Sequence, residues 1–264
     1  MAENPGSSWA IEAEGLVKRF GTFTAVDGLS LQVPRGAFYA FLGPNGAGKS
    51  TSIALFTGIY RPDAGRIAVL GHDLAQDALT VKRLIGVVPE ELALFERLTG
   101  RQYLVFCGRM YGLSSEQAEA RTAELLRLTE LTAKAEVLVA DYSKGMRRRI
   151  AIAAAVIHGP GVLFLDEPFE GIDVVAAAVV RELLKELKRA GVTLFLTTHV
   201  LEIADKLATH AGVIRAGKLV ETGTVPELLA RHGAAGLEGV FNAVVGAPVA
   251  RGAQLSWLKD GWAA

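Results

Sequence analysis

The 264-residue sequence contains a single cysteine, Cys107, and has no excess of positive or negative charge. One cysteine excludes a disulfide framework within the chain, and together with five histidines it forms no recognisable metal-ligand spacing. Lysine plus arginine and aspartate plus glutamate each total 28, whereas a protein that grips nucleic-acid phosphates usually carries a basic excess. We therefore expect neither a disulfide scaffold nor a nucleic-acid partner.

Long hydrophobic runs are also lacking. The longest, such as residues 150–157, reach about eight residues, well below the ~18 that a membrane-spanning helix needs. The opening residues, MAENPGSSWA, show no basic segment followed by an apolar stretch, the mark of a secretory signal. Because half of the residues are hydrophobic, the chain can still form a sizeable core. We expect a cytoplasmic protein.

The beginning and the end of the chain have the patterns of strands. Residues 10–33 mix short alternating runs with turn pairs, which predicts β-structure, and the apolar run Phe38–Leu42 predicts a buried strand. Further on, Val162–Leu165 and Thr193–Thr197 predict two more strands with a helix between them at 174–189. Residues 211–222 are predicted to form a hairpin.

The middle of the chain has the period of helices. Apolar side chains recur at helical spacing from Tyr103 to Met110, and Ser114–Gln117 matches a capping box that opens a second helix. A third predicted helix carries Met146 and Ile150 on one face. The change from strand to helix period and back indicates a helical insert within an α/β core.

These patterns predict one domain over residues 1–232. Its α/β core comprises 10–90 and 159–232, and the helical insert comprises 91–158. Residues 233–264 are rich in alanine and glycine, and we expect them to form a loosely held C-terminal tail.

The segment that follows the predicted strand Phe38–Leu42 matches the phosphate-binding pattern GxxxxGK[ST]. A chance match in a chain of this composition is expected only roughly 0.01 times, which leaves little weight for a glycine-rich turn with an incidental lysine. Glycines allow successive N–H groups to point at phosphate oxygens, and the following helix N-terminus adds partial positive charge. Lys49 can reach the β and γ phosphates, and the Ser50 hydroxyl can bind Mg²⁺. The predicted phosphate-binding residues are Gly43, Pro44, Asn45, Gly46, Ala47, Gly48, Lys49, Ser50 and Thr51.

Two carboxylates, Asp166 and Glu167, directly follow the predicted strand Val162–Leu165. Neighbouring side chains at a strand end point to opposite sides, so one carboxylate can hold the Mg²⁺ shell while the next addresses an attacking water. Such a pair alone is more often solvated surface, but the phosphate-binding segment upstream favours the catalytic interpretation. In open α/β sheets, ligands bind beyond the carboxyl ends of strands, where we also expect His199.

A narrower signal is the segment Tyr142–Met146, YSKGM, which stands before a predicted helix and ahead of the acidic pair. It resembles the signature, usually written LSGGQ, of the nucleotide-binding subunits of ATP-binding cassette (ABC) transporters. Ser143 and Gly145 match this signature, and the departures are similar to those of export-type cassettes that pair with a separate membrane subunit. The resemblance covers roughly residues 10–240.

The resemblance implies a fold and several residue roles. The fold is a P-loop NTPase (RecA-like) α/β core with an N-terminal antiparallel β-subdomain and an inserted α-helical subdomain. Phe20 matches the aromatic residue that stacks on adenine, and His199 the histidine that donates to the γ-phosphate. Asp173 matches an aspartate expected at the interface between two cassettes. Glu90 stands where the family usually has glutamine, so it is expected to contact Mg²⁺ or water and to add a negative charge.

Several of these positions also have ordinary structural interpretations. Phe20 could be a core aromatic at a strand end, and a lone histidine is usually structural. Ser143 can cap the helix that follows it, and with Gly145 it forms an anion site that the family implies faces a nucleotide on another subunit. The arginines at 147–149 are more often a solvated face than phosphate contacts.

The resemblance predicts an ATPase that uses ATP and Mg²⁺ to power export through an integral membrane permease. Glu167, His199 and Lys49 are the predicted catalytic residues, and Ser50, Glu90 and Asp166 the predicted metal ligands. We expect a homodimer or paired cassettes when ATP is bound, and a peripheral position on the inner face of the cell membrane. The family places the groove for the membrane partner at residues 91–98.

Two other functions remain open at this point. The first is an ABC ATPase that acts on nucleic acid or ribosomes, which the neutral charge, the single cassette and the lack of a long coiled-coil insert argue against. The second is a non-catalytic nucleotide-binding regulator, which the set Lys49, Asp166, Glu167 and His199 argues against.

Overall fold

Two β-sheets form the frame of the molecule, and a computed structural model describes residues 8–246. The strands in this part of the chain are β1 (Trp9–Phe20), β2 (Phe23–Pro34), β3 (Phe38–Leu42), β4 (Ala64–Val69), β5 (His72–Asp73), β6 (Ile85–Val88), β7 (Val162–Asp166), β8 (Thr193–Thr198), β9 (His210–Arg215) and β10 (Lys218–Thr224). The first sheet is antiparallel with the order β2-β1-β4-β5. The second has the order β10-β9-β3-β8-β7-β6, in which every pair is parallel except β9 with β10.

Helices occupy most of the described residues outside the strands. They are α1 (Lys49–Phe56), α2 (Ala78–Leu84), α3 (Gly100–Met110), α4 (Ser115–Leu128), α5 (Lys144–Val156), α6 (Val174–Arg189), α7 (Leu201–Leu207), α8 (Val225–His232) and α9 (Leu237–Val245), with short 3₁₀ turns at Thr132–Lys134 and Val139–Asp141. Between residues 8 and 246, no helix is both long and apolar enough to cross a bilayer.

The parallel arrangement brings four chain segments to one edge of the second sheet. Strands β3, β8, β7 and β6 run in the same direction, so their carboxyl ends meet at this edge. The phosphate-binding segment follows β3, the acidic pair ends β7, His199 follows β8 and Glu90 follows β6. This edge is where open α/β sheets bind ligands, and the topology thus assembles the predicted site.

Buried aromatic rings hold the second sheet and α1 together. Phe41, Phe56 and Phe164 each lie within 5.7 Å of the ring of Phe195, measured between ring centroids, and all four are fully buried. Strands β3, β7 and β8 are buried along their whole length. The continuous apolar runs in the sequence reflect this burial on both faces of a parallel sheet.

The helices of the middle region form where their period predicts them. Helix α4 begins with the predicted capping box, in which Ser114 and Gln117 bond reciprocally to each other's backbone N–H groups. Helix α3 has a second capping box, made by Thr99 and Gln102. Helices α3, α4 and α5 pack on one another and share a core with β7 and β8.

The expectation of a loosely held tail is wrong for the part of it that the structure describes. Helix α9 packs on α7, α8 and β9, and Leu237 and Val240 are fully buried in the core beneath it. Burial of these apolar side chains stabilises the helix, although the alanine- and glycine-rich sequence around them does not predict one. Residues 247–264 lie outside the described residues.

Candidate nucleotide-binding site

A cavity of about 500 Å³ opens at the carboxyl edge of the parallel sheet. The phosphate-binding segment, the loop after β7, and the residue after β8 contribute side chains to the same space. Its lining residues are Phe23, Ala25, Asn45, Gly46, Gly48, Lys49, Ser50, Thr51, Glu90, Glu167, Glu170 and His199. Nine of the predicted nucleotide-binding, catalytic and metal positions, from Asn45 to His199, are therefore neighbours in space.

The turn before α1 has the geometry of a phosphate cradle. Gly46 has a φ of 77°, and there is open space on its Cβ side. Gly48 has a φ of 106°, and a Cβ there would lie 2.5 Å from the carbonyl oxygen of Ala25. No side chain caps the N-terminus of α1, which leaves its first N–H groups facing an anion site. This part of the cavity fits a phosphate group.

Lys49 directs its charge into the cavity. Its side chain is buried, and Nζ donates a hydrogen bond of 2.8 Å to the carbonyl oxygen of Gly43. Nζ also lies 3.6 Å from Oε1 of Glu167. A buried ammonium without a strong partner is costly, so a phosphate that enters the cavity would offer this lysine a better anionic partner.

Glu167 is held in a conformation that side chains rarely adopt. Its φ is 45°, in the left-handed region, where a non-glycine residue is typically strained by ~1–3 kcal/mol. Its backbone N–H donates to Thr197 Oγ1 at 3.1 Å, and its Oε2 lies 3.0 Å from Nδ1 of His199. Strain of this kind clusters at functional sites. In this conformation the Glu167 side chain lines the cavity.

Oxygen groups suited to Mg²⁺ surround the same space. Ser50, Glu90 and Glu170 line the cavity, and Asp166 lies buried beside it, where it accepts a hydrogen bond from the Thr197 hydroxyl. Desolvation, followed by the charge of the Asp166 carboxylate, raises the pKa of Glu90. A divalent cation would relieve this repulsion between like charges.

The donor set is incomplete without a nucleotide. In the part of the chain that the structure describes, no group of three or more histidine, cysteine, aspartate or glutamate side chains could hold a metal ion. Mg²⁺ commonly takes only one or two carboxylates and completes its shell with water and substrate phosphates. The residues present fit that mode of binding, with the Ser50 hydroxyl as a further ligand.

The two aromatic residues at the tip of the β1–β2 hairpin occupy different positions relative to the cavity. Phe20 is 44% exposed and packs edge-on against Tyr60 with ring centroids 5.5 Å apart, outside the lining of the phosphate cavity. Phe23, which pairs with Phe20 across the turn, is 60% exposed and does line the cavity. Phe23 was not among the predicted site residues, and the two-residue turn that pairs it with Phe20 was the available signal.

The signature-like segment lies elsewhere on the molecule. Ser143 caps α5, because its Oγ accepts the N–H of Met146. Gly145 packs so closely on α6 that a Cβ there would lie 2.7 Å from Cβ of Ala176. Asp173 caps α6 next to it. Neither Ser143 nor Gly145 lines the phosphate cavity of its own chain.

The arginines that follow this segment do not form the solvated face that their run of charge suggested. Arg148 is only 3% exposed and donates to the carbonyl oxygens of Pro89 and Glu90. Arg147 forms an ion pair with Glu96. Because these partners are distant in sequence, no local pattern revealed them.

An apolar groove of about 570 Å³ lies on another side of the molecule, between the segment after β6 and helices α3 and α5. Phe95 is 57% exposed and packs edge-on against Phe106 at 5.1 Å between ring centroids. Leu92 and Leu94 are half-buried and line the groove beside it. The surface predicted at residues 91–98 is therefore both apolar and accessible.

Comparisons with known proteins agree on one family. A family model described as "ABC transporter" matches residues 26–170. The daunorubicin resistance ATP-binding protein DrrA3 of Streptomyces coeruleorubidus is 45% identical over 224 residues, which are 85% of this chain and 71% of that protein. The linearmycin resistance ATP-binding protein LnrL of Bacillus subtilis (strain 168) is 39% identical over 84% of this chain and 72% of its own length.

Solved structures give the same result. An ATP-binding subunit of an ABC transporter superposes with a TM-score of 0.83 at 30% identity, over 89% of this chain and 99% of that one. The dimeric structure of MJ0796, a bacterial ABC transporter cassette, has a TM-score of 0.75 at 24% identity over 81% and 98%. The predicted P-loop NTPase fold is confirmed. The chain belongs to the ABC transporter family, as an ATP-hydrolysing subunit of the export type.

Proposed function

We propose that this chain binds Mg²⁺-ATP in the cavity at the carboxyl edge of the parallel sheet. The observation that carries the proposal is the meeting of Lys49, Glu167 and His199 around a phosphate-sized cradle. Backbone N–H groups of the phosphate-binding segment and Lys49 would bind the phosphates. Ser50, Asp166 and Glu90 would hold Mg²⁺, which supplies charge neutralisation at the phosphates when bound.

Glu167 is proposed to position and deprotonate the attacking water. Its carboxylate lies within hydrogen-bond distance of His199 Nδ1, and its strained backbone fixes its direction. When ATP draws Lys49 away, the carboxylate becomes free to accept a proton. His199 would then donate to the γ-phosphate, and Lys49 would stabilise charge that develops in the transition state.

Phe20 is proposed to stack on the adenine, with Phe23 as a further contact at the mouth of the cavity. Both rings are exposed at the tip of one hairpin. An aromatic face provides such stacking without selecting a particular base.

The family implies paired cassettes and a membrane permease. For this chain we propose a homodimer in which Ser143 and Gly145 of one subunit approach the nucleotide held by the other. Their absence from the cavity of their own chain supports this arrangement, as does the dimeric form of the related cassette MJ0796. A two-fold pair would close with two ATP molecules and leave no open end.

The apolar groove is proposed to bind the permease, so that the chain lies peripherally on the inner face of the cell membrane. Two related proteins are named for resistance to daunorubicin and to linearmycin, and we propose that this subunit likewise powers export. No observation favours action on nucleic acid, since the chain has no basic excess.

Hydrolysis of ATP by the purified chain tests this function. Lys49→Ala should abolish measurable phosphate release, because the charge at the β and γ phosphates is lost, while circular dichroism and thermal melting show a folded protein. Lys185→Ala is the matched control, since Lys185 is a surface lysine of α6 that pairs with Glu182. Turnover in folded Lys49→Ala equal to that of Lys185→Ala would refute the proposal. Omission of Mg²⁺ should also stop turnover.

A further inference from the structure

Two consecutive arginines of α5 reach into the segment that joins β6 to α3. This segment, residues 89–98, is called the connecting segment below. Arg148 Nη1 donates to the carbonyl oxygen of Pro89 at 2.9 Å, and Nη2 donates to that of Glu90 at 3.0 Å. One guanidinium therefore holds two successive carbonyl groups at the start of the connecting segment.

Arg147 holds the other end of the same segment. Its Nη1 lies 2.6 Å from Oε1 of Glu96. The same guanidinium donates through Nη2 to the carbonyl oxygen of Ala140 at 3.0 Å and through Nε to that of Tyr142 at 3.3 Å. Arg147 thus connects Glu96 to the loop that leads into the signature-like segment.

Side chains of the connecting segment face two different sites. Glu90 lines the phosphate cavity. Leu92, Leu94 and Phe95 line the apolar groove. A displacement of the connecting segment would therefore alter the Mg²⁺ side of the cavity and the groove together.

Burial of Arg148 shows that this contact is more than an incidental surface bond. A guanidinium that is taken out of water loses much hydration energy, and here two carbonyl oxygens are the partners that replace it. Desolvation lowers the pKa of Arg148, and the fixed fork of the guanidinium suits two adjacent acceptors in a way that an ammonium does not. The carboxylates of Glu170, Glu90 and Asp166 supply compensating negative charge. The two carbonyl bonds fix the guanidinium against the start of the connecting segment, so the contact can position that segment.

We propose that Arg147 and Arg148 are positioning residues that clasp the connecting segment to α5, so that α5 and the segment move as one unit. Closure of Ser143 and Gly145 on the nucleotide of a second cassette then displaces Glu90 and the apolar groove at the same time. This proposal rests on the proposed function, because a bound nucleotide must drive the closure. The paired contacts of Arg147 and Arg148 with the connecting segment are called the clasp below.

The single cysteine of the sequence provides a direct readout. Cys107 lines the apolar groove and is half-buried, and burial raises the pKa of its thiol to about 11. Its reaction with a neutral maleimide therefore depends on how far the groove admits the reagent. The rate is measured on the full chain with and without Mg²⁺ and a non-hydrolysable ATP analogue.

In the unmodified chain, the analogue should change the labelling rate of Cys107 by at least about 5-fold, the lower end of typical coupling between sites. Arg147→Lys and Arg148→Lys keep the charge but lose the fork, and they should abolish most of this response while they still bind the analogue. Arg149→Lys is the matched control, because Arg149 donates to the carbonyl oxygen of Thr129, outside the connecting segment. This variant should respond like the unmodified chain.

A charge exchange between Glu96 and Arg147 provides a second test that leaves the buried Arg148 unchanged. Glu96→Arg alone should weaken the response, and Glu96→Arg with Arg147→Glu should restore part of it, since the ion pair is re-formed in reverse.

Three outcomes overturn the clasp. The first is an unchanged response in folded Arg147→Lys and Arg148→Lys, and the second is no response in an unmodified chain that binds the analogue. The third is failure of the unmodified chain to bind the analogue at all, which would overturn the proposed function as well. If Arg148→Lys fails to fold, the charge exchange between Arg147 and Glu96 decides the matter.

Discussion

His158 is an ionisable group that the proposed chemistry does not use. Its ring stacks on Tyr111 with centroids 3.7 Å apart, and its Nε2 lies 3.0 Å from the carbonyl oxygen of Ile85. Burial, together with the charge of Arg121, lowers the pKa of this histidine. The folded chain therefore resists protonation of His158 more than the unfolded chain does.

This difference predicts how stability depends on pH. Above the unfolded value of about 6.5, His158 is neutral in both states and contributes no pH dependence. As the pH falls below that value, the unfolded chain gains a proton that the folded chain resists, so the free energy of unfolding decreases. His158→Phe keeps a ring on Tyr111 but cannot titrate. Urea denaturation between about pH 7.5 and 5.5 should show a shallower decline for this variant.

The variant should also be less stable than the unmodified chain at the upper end of this range, by about 1 kcal/mol, because the hydrogen bond to Ile85 is lost. Some decline should remain in His158→Phe, since burial also lowers the pKa of His210. Equal slopes for the two proteins would show that His158 titrates alike in the folded and unfolded states.

Several helices begin at a side-chain cap, so the cap of α5 can be compared with the cap of another helix. Ser143 Oγ accepts the Met146 N–H at α5, and Thr224 forms a capping box with Glu227 at α8. Loss of a serine or threonine cap typically costs about 0.5–2 kcal/mol. Ser143→Ala and Thr224→Ala should therefore lower the free energy of unfolding by similar amounts.

Their effects on ATP hydrolysis should differ. Ser143→Ala removes a hydroxyl that the proposed dimer brings to the γ-phosphate, whereas Thr224 directly precedes α8 and lies outside the lining of the phosphate cavity. Turnover at saturating ATP should fall by about 10²-fold in Ser143→Ala, the lower end of what one lost transition-state contact produces, and should stay near normal in Thr224→Ala. Equal turnover in the two variants would leave Ser143 with a capping role alone.

Local patterns in the sequence predicted several of the elements in which burial has a regular period. The strand at Phe38–Leu42 and the helix at 174–189 have the predicted bounds, because continuous or amphipathic burial leaves a periodic record. Helix α9 was missed, since its alanine- and glycine-rich surroundings mask the two buried residues Leu237 and Val240.

Partners that come from distant parts of the chain could not be predicted in this way. The run of arginines at 147–149 has the composition of a solvated face, yet Arg148 is buried against carbonyl groups some sixty residues earlier in the chain. The phosphate-binding segment was predictable because its function requires a fixed local turn. The placement of Phe23 and Glu170 at the cavity depends on how the loops meet, which only the tertiary structure shows.

Exposure of an apolar groove on an otherwise mixed surface predicts a binding face. Phe95→Asp places a charge in the groove, so it should reduce co-purification with the permease and should stop transport. ATP binding should persist, because Phe95 lies outside the lining of the phosphate cavity. Leu79→Asp is the matched control, since Leu79 is 75% exposed on α2 and does not line the groove.

Thermal melting separates this effect from misfolding. Phe95 contacts the rings of Tyr103 and Phe106 but is more than half exposed, so its replacement should lower stability only modestly. Transport and co-purification like those of Leu79→Asp would show that the permease binds another surface, and collapse of the fold would show that Phe95 belongs to the core.

The dimer predicted for the ATP-bound state can be trapped through Glu167. Glu167→Gln keeps the size of the side chain and its ability to hydrogen-bond but removes the base, and loss of a positioned base typically slows a reaction by ~10²- to 10⁴-fold. ATP should then persist between two subunits, held by the phosphate-binding segment of one and by Ser143 and Gly145 of the other. We expect a dimer in Mg²⁺-ATP and a monomer without nucleotide, measured by size-exclusion chromatography with light scattering.

Adding Lys49→Ala to this variant should abolish the dimer, because the β and γ phosphates lose their cation. A Glu167→Gln chain that binds ATP yet stays monomeric would contradict the shared site, and one that hydrolyses ATP at the unmodified rate would contradict the role of Glu167 as the base.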